Sequence, residues 1–243
     1  VRPRDVRQRV GVALEGELRK LVQVTNARSF DELPIPFRAI ATDIGTGEMV
    51  VLKEGSVVQA IRASMSVPGA VAPVTIGKRL LVDGGLTNNL PIDIARSMGA
   101  EVIIAVNLGT PLLKPEEITS VLSVTFQMIN ILTEQNVNRS LKELRPEDIL
   151  IIPELGNFSS SDFDNLIKTV PIGEAAARKV SDRLRALSLP PEQYAELRKR
   201  QSAPSASDPV IIQAIRVEGT ERVSPEVVLQ ALRSDTGEPL DRD

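Results

Sequence analysis

The 243-residue sequence predicts an α/β layer fold followed by a short second α+β unit, on three observations. Strand-like runs alternate with helical periodicity from Phe37 to Leu187. One run, residues 101–107 (EVIIAVN), is almost continuously apolar and follows a helix, the pattern of a parallel strand. A Ser/Ala/Pro stretch at 201–209 (QSAPSASDP) then breaks the alternation with the composition of a linker. The boundaries read as 1–200 for the main domain, 201–209 for the linker and 210–243 for the start of the second unit.

Along the chain, residues 4–24 carry Val6, Val10, Ala13 or Leu14, Leu18, Leu21 and Val22 at helical spacing. This is an amphipathic helix whose outer arginines read as solvated surface. Pro34 and Pro36 precede two strands, 37–43 (FRAIATD) and 48–52 (EMVVL), joined by a Gly45-Thr46-Gly47 turn. Residues 57–66 form a short helix stopped by Pro68. Residues 74–82 (VTIGKRLLV) form a hairpin around Gly77-Lys78, whose first turn residue needs positive φ. Residues 92–98 are helical with Gly99 at the cap, and the 101–107 strand that follows is expected to be buried on both faces.

Glu116-Glu117 open a long helix with Ile118, Val121, Leu122, Thr125, Met128, Ile129 and Leu132 on one side. Val124, Phe126 and Ile131 make it apolar nearly all round, so deep packing is expected. A buried strand at 149–152 and an amphipathic helix at 172–187 complete the main domain. In the second unit, 210–217 reads as a strand. Ser224 as N-cap and Pro225 at the first helical position begin a helix running over 227–232. One strand and one helix cannot bury their own apolar face, so this unit reads as truncated, and the opening at Val1, mid-pattern, hints at a missing N-terminal part.

Composition narrows the chemistry. The chain has no His, Cys or Trp, one Tyr and five Phe. Zinc fingers, haem-binding His, Cys proteases and Ser-His-Asp triads are therefore excluded within it. A hydroxyl nucleophile would need a carboxylate as its base. A net charge of -3 with 2% aromatics offers neither a phosphate-tracking face nor a base-stacking platform, so no nucleic-acid partner is expected. No stretch reaches the ~18 apolar residues of a membrane-spanning helix.

Neither GxGxxG nor GxxxxGK[ST] occurs, and no two glycines stand four apart, so G-x-S-x-G is absent too. The informative block is R-A-S-M-S-V-P-G-A-V-A-P at 62–73 with L-V-D-G-G-L-T-N-N-L-P at 81–91. Val82 ends a strand, Asp83 projects at its carboxyl end, and Gly84-Gly85 permit a sharp turn and close approach. There Asp83 could serve as a general base, provided that neighbours and partial desolvation tune its carboxyl, ~3.9 when free, for work near neutrality. Asp-Gly is equally a common turn dipeptide.

The block resembles the C-terminal half of a patatin-like phospholipase domain, over about residues 30–110 and more loosely 1–200. Ala63, Ser64, Pro68 and Pro73 match the family's A-S-x-x-x-P segment. Asp83, Gly84, Gly85, Asn89 and Pro91 match D-G-G-x-x-x-N-x-P. The resemblance implies a patatin-like layered sheet with flanking helices, its N-terminal part missing, and a Ser-Asp dyad in which Asp83 accepts the serine proton. It implies a phospholipid or other lipid ester as substrate, a membrane surface as its source, and no cofactor or metal. The chain departs from the family in lacking the G-x-S-x-G serine and the glycine-rich oxyanion loop. Ser64 and Ser66 read as packing and turn residues, so the nucleophile is expected outside this chain, which alone would be inactive as a fragment or a pseudoenzyme. The apolar helix from Ile118 to Leu132 reads as core, acyl-pocket lining or dimer face.

Residues 211–240 resemble the opening β-α of a POTRA domain, through the strand, the V-E-G-T turn at 217–220 and the helix begun at Ser224. The pair of domains resembles patatin-type autotransporters, which implies a C-terminal outer-membrane β-barrel and an outer-membrane, cell-surface or secreted location in a Gram-negative bacterium. The alternatives are a cytoplasmic lipase with an unrelated tail, and a non-catalytic adaptor whose POTRA-like tail binds partner polypeptide.

Overall fold

A computed structural model of the chain describes residues 3–22, 26–109, 111–156, 158, 163–202, 211–215, 217, 224–231 and 236–238, without the side chains of 3–10, 12 and some others. The chain divides into two compact units, Val1–Gln201 and Ser202–Asp243.

The first unit runs α1 (Pro3–Leu21), β1 (Asn26–Ala27), β2 (Ala39–Asp43), β3 (Met49–Leu52), β4 (Gly55–Ser56), α2 (Val57–Ser64), β5 (Val74–Ile76), β6 (Arg79–Asp83), α3 (Gly85–Asn88) and α4 (Ile92–Ser97). It continues through β7 (Ile104–Val106), α5 (Val121–Ser140), β8 (Ile149–Ile151), α6 (Val170–Lys179), α7 (Ser181–Arg185) and α8 (Pro191–Ser202). The main sheet is antiparallel throughout, in the order β3-β2-β6-β5. The predicted turns account for its hairpins: Gly47 at φ 76° follows β2, and Gly77 at φ 61° joins β5 to β6. β2 occupies the middle, with all five residues buried, and β6 lies against it with Asp83 beside Ala41.

The core under this sheet is built from Phe30, Ala41, Val50, Leu52, Val57, Ala60, Ala63 and Leu81. Arg62 is buried with them. Its Nη1 donates to Ser66 Oγ at 2.6 Å and its Nη2 to the Ala72 carbonyl at 2.9 Å, which tethers the 62–73 segment to α2. In α1 Leu14 and Leu18 are half-buried, whereas Leu21 is 77% exposed; the side chains of Val6 and Val10 lie outside the described residues.

β7 and β8 pair in parallel, as the 101–107 run predicts. The expectation of burial on both faces is corrected. Ala105 is buried among Leu90, Ile92, Ile103 and Val137, while Ile104 and Val106 are about half exposed on the other face. This sheet has two strands and one covered face, so the side chains alternate in the ordinary way. Asp148, fully buried just before β8, accepts from Arg96 Nη2 at 2.6 Å and from the Ile103 and Arg145 N–H groups at 2.8 Å each. Burial pushes its carboxyl up, but those two N–H groups and Arg96 outweigh it and bring it down to about 2.

The long helix is corrected more deeply. Glu116-Glu117 lie in a 3-10 turn, and α5 begins at Val121, capped by Ser120, whose Oγ accepts the Ser123 N–H at 3.1 Å. Deep packing is not found. Val121 is 85% exposed, and Val124, Met128, Ile131 and Leu132 are also exposed. The buried stripe is instead Thr133, Asn136, Val137 and Ser140. Its polar groups find partners in α3 and at Asn89, so the packed face is selected by hydrogen bonding as well as by apolar content.

The helix expected over 172–187 begins at Val170 and is split by Val180, at φ -113° and ψ 19°, into α6 and α7. Pro171 sits in the first turn of α6, where its missing N–H costs nothing. α8 was not predicted, and its last residues, Gln201 and Ser202, fall on the expected linker; residues 203–209 lie outside the described residues.

In the second unit α9 (Pro225–Ala231) starts after Ser224 as predicted. The Ser224 carbonyl accepts from the Val227 and Val228 N–H groups. The 210–217 strand is present only as a bridge. The Ile212 N–H donates to the Glu238 carbonyl at 2.9 Å and its carbonyl accepts from Gly237 at 2.8 Å, while Val210 and Arg216 lie outside the described residues. Among the described residues of both units, no helix is long and apolar enough to cross a membrane.

Candidate active site

The two halves of the sequence block meet at the carboxyl end of β6. The Asp83 N–H donates to the Ser66 carbonyl at 3.0 Å, and the Gly84 N–H points to the Ser64 carbonyl at 3.4 Å. The end of α2 therefore braces the D-G-G turn, which is why the A-S-x-x-x-P segment accompanies it in the sequence. Ala63 is in the core and Ser66 is fully buried, its hydroxyl donating to the Arg62 carbonyl at 2.7 Å. Pro68 and Pro73 do not line the site.

Each glycine has its own reason. A Cβ on Gly84 would stand 2.1 Å from the Ile40 carbonyl oxygen of β2, so the backbone there tolerates no side chain. A Cβ on Gly85 would stand 2.9 Å from both Asp83 Oδ1 and Asn89 Oδ1. Neither glycine has positive φ; close approach requires them. The Gly85 N–H donates to Asp83 Oδ1 at 2.7 Å, closing an Asx turn that fixes the carboxylate. Burial pushes the Asp83 carboxyl above its ordinary value, against the pull of that N–H. A base so tuned is better matched to proton transfer near neutrality than a free aspartate.

All three carbonyls of the turn are held by side chains. Thr42 Oγ1 on β2 donates to Asp83 O at 2.9 Å. Thr87 Oγ1 lies 3.3 Å from Gly84 O and 3.0 Å from Thr42 Oγ1. Gly85 O accepts from Thr133 Oγ1 at 3.1 Å and from Asn136 Nδ2 at 2.8 Å, both on α5. None of these four residues stood out in the sequence. The available signal was the helical spacing of Thr133, Asn136 and Ser140 along one side of α5.

Asp83 opens on a cavity of about 390 Å³ that also involves Phe37, Ile40, Ile61, Ser64, Asn89 and Pro91. Asp83, Gly84, Gly85, Asn89 and Pro91 are thus brought together. Arg38, the cation of this cavity, is already engaged by Asp31 at 2.8 Å. Among the described residues no three acidic groups are grouped to hold a metal ion. The arrangement supplies a fixed, partly desolvated base at the edge of a mixed apolar and polar cavity.

Residues 5–96 match the model of the patatin-like phospholipase family. Over this stretch the chain is similar to that family. The chain is 47% identical over 85 residues to "Patatin-like phospholipase domain-containing protein 7" of Mus musculus, covering 34% of this chain and 6% of that protein. It is 42% identical over 94 residues to "Patatin-like phospholipase domain-containing protein 6" of Homo sapiens, covering 38% and 7%. A third relative, an uncharacterized NTE family protein of Mycobacterium tuberculosis, is 41% identical over 81 residues, covering 33% and 22%. The match thus spans less than a quarter of the length of each of these relatives. The mixed α/β architecture, a sheet with flanking helices, is consistent with a patatin-like fold.

Proposed function

We propose that the patatin-like segment carries the general-base half of a lipid acyl hydrolase, with Asp83 as the base of a Ser-Asp dyad. The reading rests on one observation: the carboxylate that ends β6 is clamped, partly desolvated and open to a cavity. The nucleophilic serine belongs to polypeptide outside these 243 residues. Its hydroxyl attacks the ester carbonyl while Asp83 takes the proton. The tetrahedral oxyanion is held by backbone N–H groups from outside this chain. Collapse expels the alcohol or lysolipid, which leaves with the proton from Asp83, and water then releases the fatty acid by the same steps in reverse order. The substrate is a phospholipid or other lipid ester drawn from a membrane surface, and the 243 residues alone are inactive.

The test is hydrolysis of phospholipid and p-nitrophenyl esters by the protein extended to include its nucleophile, compared with its Asp83→Asn variant. A loss of at least ~10³-fold in kcat is expected. Unimpaired turnover would remove Asp83 from the dyad.

The tail of residues 210–243 is, in the same proposal, the start of a POTRA-like unit that leads to an outer-membrane barrel, and the protein is surface-exposed or secreted. What supports this is the helix begun at Ser224 and the pairing of Ile212 with residues 237–238. Fractionation of the producing cells checks it: recovery from cytosol alone would overturn the location. The same tail favours an adaptor as second reading if no nucleophile accompanies the chain, because the backbone of Ile212 already pairs in strand fashion.

A further inference from the structure

We infer that Asn136 is a positioning residue for Asp83, acting through the two ends of the turn that carries it. The inference rests on the reading of Asp83 as the base and names what holds that base in place.

The geometry is reciprocal. Asn136 Nδ2 donates to the Gly85 carbonyl at 2.8 Å, and its Oδ1 accepts the Asn89 N–H at 2.8 Å. One carboxamide therefore spans the first and last residues of the 85–89 segment, a job that needs a donor and an acceptor on the same short side chain. Nδ2 also donates to the Leu132 carbonyl at 3.1 Å, one turn back on α5, which fixes the rotamer. Asn136 is 6% exposed, so water does not substitute easily for either bond.

Gly85 is the point where this clamp reaches the carboxylate. Its carbonyl faces Asn136, its N–H holds Asp83 Oδ1, and its Cα faces both Asp83 Oδ1 and Asn89 Oδ1. Rotating the Gly85 peptides therefore moves the carboxylate. Thr133 contributes a second donor to the same carbonyl but reaches nothing at Asn89, so it supports one end only.

Neutralising this clamp lets the turn open and water reach Asp83. The titration of Asp83 reports this directly, by carboxyl ¹³C NMR of the 243-residue chain, with no turnover required. In Asn136→Ala the Asp83 pKa falls toward its ordinary value, and the Gly85 amide loses protection from exchange. Asn136→Ser, which can bond one end but not both, moves in the same direction by less and serves where the alanine variant does not fold. Thr133→Val leaves the Asp83 titration close to wild type although it too lowers thermal stability. A role that is merely structural would lower stability in all three variants without moving Asp83. An unchanged Asp83 titration in folded Asn136→Ser overturns the inference. Unimpaired hydrolysis by Asp83→Asn overturns the dyad reading instead, so the two failures are distinguishable.

Discussion

Asp83 and Gly85 are joined by a 2.7 Å hydrogen bond from the glycine N–H to the aspartate Oδ1, two residues back along the same turn. The bond holds a carboxylate that burial pushes toward its protonated form. Stability and the proposed chemistry therefore pull in opposite directions at this residue. A carboxyl whose folded-state pKa is raised contributes stability that is complete below its unfolded value of ~3.9 and is lost as pH rises through the folded value.

Asp83→Asn is consequently expected to melt at or above the wild-type temperature at pH 7, since the amide oxygen can still accept from Gly85. The gap closes as pH falls below ~4. Thermal melts across pH check the sign. A variant melting well below wild type at pH 7 would contradict the desolvated carboxylate.

Asp148 predicts the reverse. Its folded-state carboxyl lies at about 2, below the unfolded value of ~3.9, so its stabilisation is present above pH ~4 and disappears toward pH ~2. Asp148→Asn should lower the melting temperature at pH 7 by ~5 °C or more and flatten the acid limb between pH 4 and 2. Circular-dichroism melts at both ends of that window read the difference.

The two glycines of the turn should separate cleanly. Gly84→Ala sets a Cβ against the Ile40 carbonyl of β2, backbone that cannot retreat without opening the sheet, and is expected to cost more than about 3 kcal/mol. Gly85→Ala meets only the ends of the Asp83 and Asn89 side chains and should cost under about 2 kcal/mol while displacing the carboxylate. Urea unfolding of the pair gives the comparison, and equal losses would sink the distinction.

Substitutions on the first half of α5 test its exposure. Val121→Lys and Met128→Lys should each change the stability of this chain by no more than about 0.5 kcal/mol, because neither side chain is enclosed. A loss of ~2 kcal/mol for either would restore the packed reading of that helix.

Much of this was legible in the residues themselves. The β2–β3 and β5–β6 hairpins follow from turn glycines between β-rich runs, and the D-G-G block announced its own site. What stayed hidden was orientation across long separations. Apolar content along α5 predicted a buried helix, yet Thr133, Asn136 and Ser140 face inward, where they bond the Gly85 carbonyl, the Asn89 amide and the Asn88 side chain. Hydrophobic periodicity carries no information about such partners. Similarly, 101–107 reads as a strand from its composition, but whether its second face is covered depends on neighbours that the run itself does not encode. Thr42 and Thr87 look like ordinary strand and turn threonines until the fold brings them to the adjacent carbonyls of Asp83 and Gly84.

The groups that hold the Asp83 turn come from far along the chain: Thr42 lies 41 residues before Asp83, while Thr133 and Asn136 lie 48 and 51 residues after Gly85. The β5–β6 hairpin, by contrast, closes locally. During folding the hairpin can therefore form early, but the turn at its end stays loose and hydrated until two long loops have closed and α5 has docked. Until then Asp83 lacks the burial that raises its carboxyl. The acidity of a single side chain thereby becomes a gauge of whether β2 and α5 have closed on the turn.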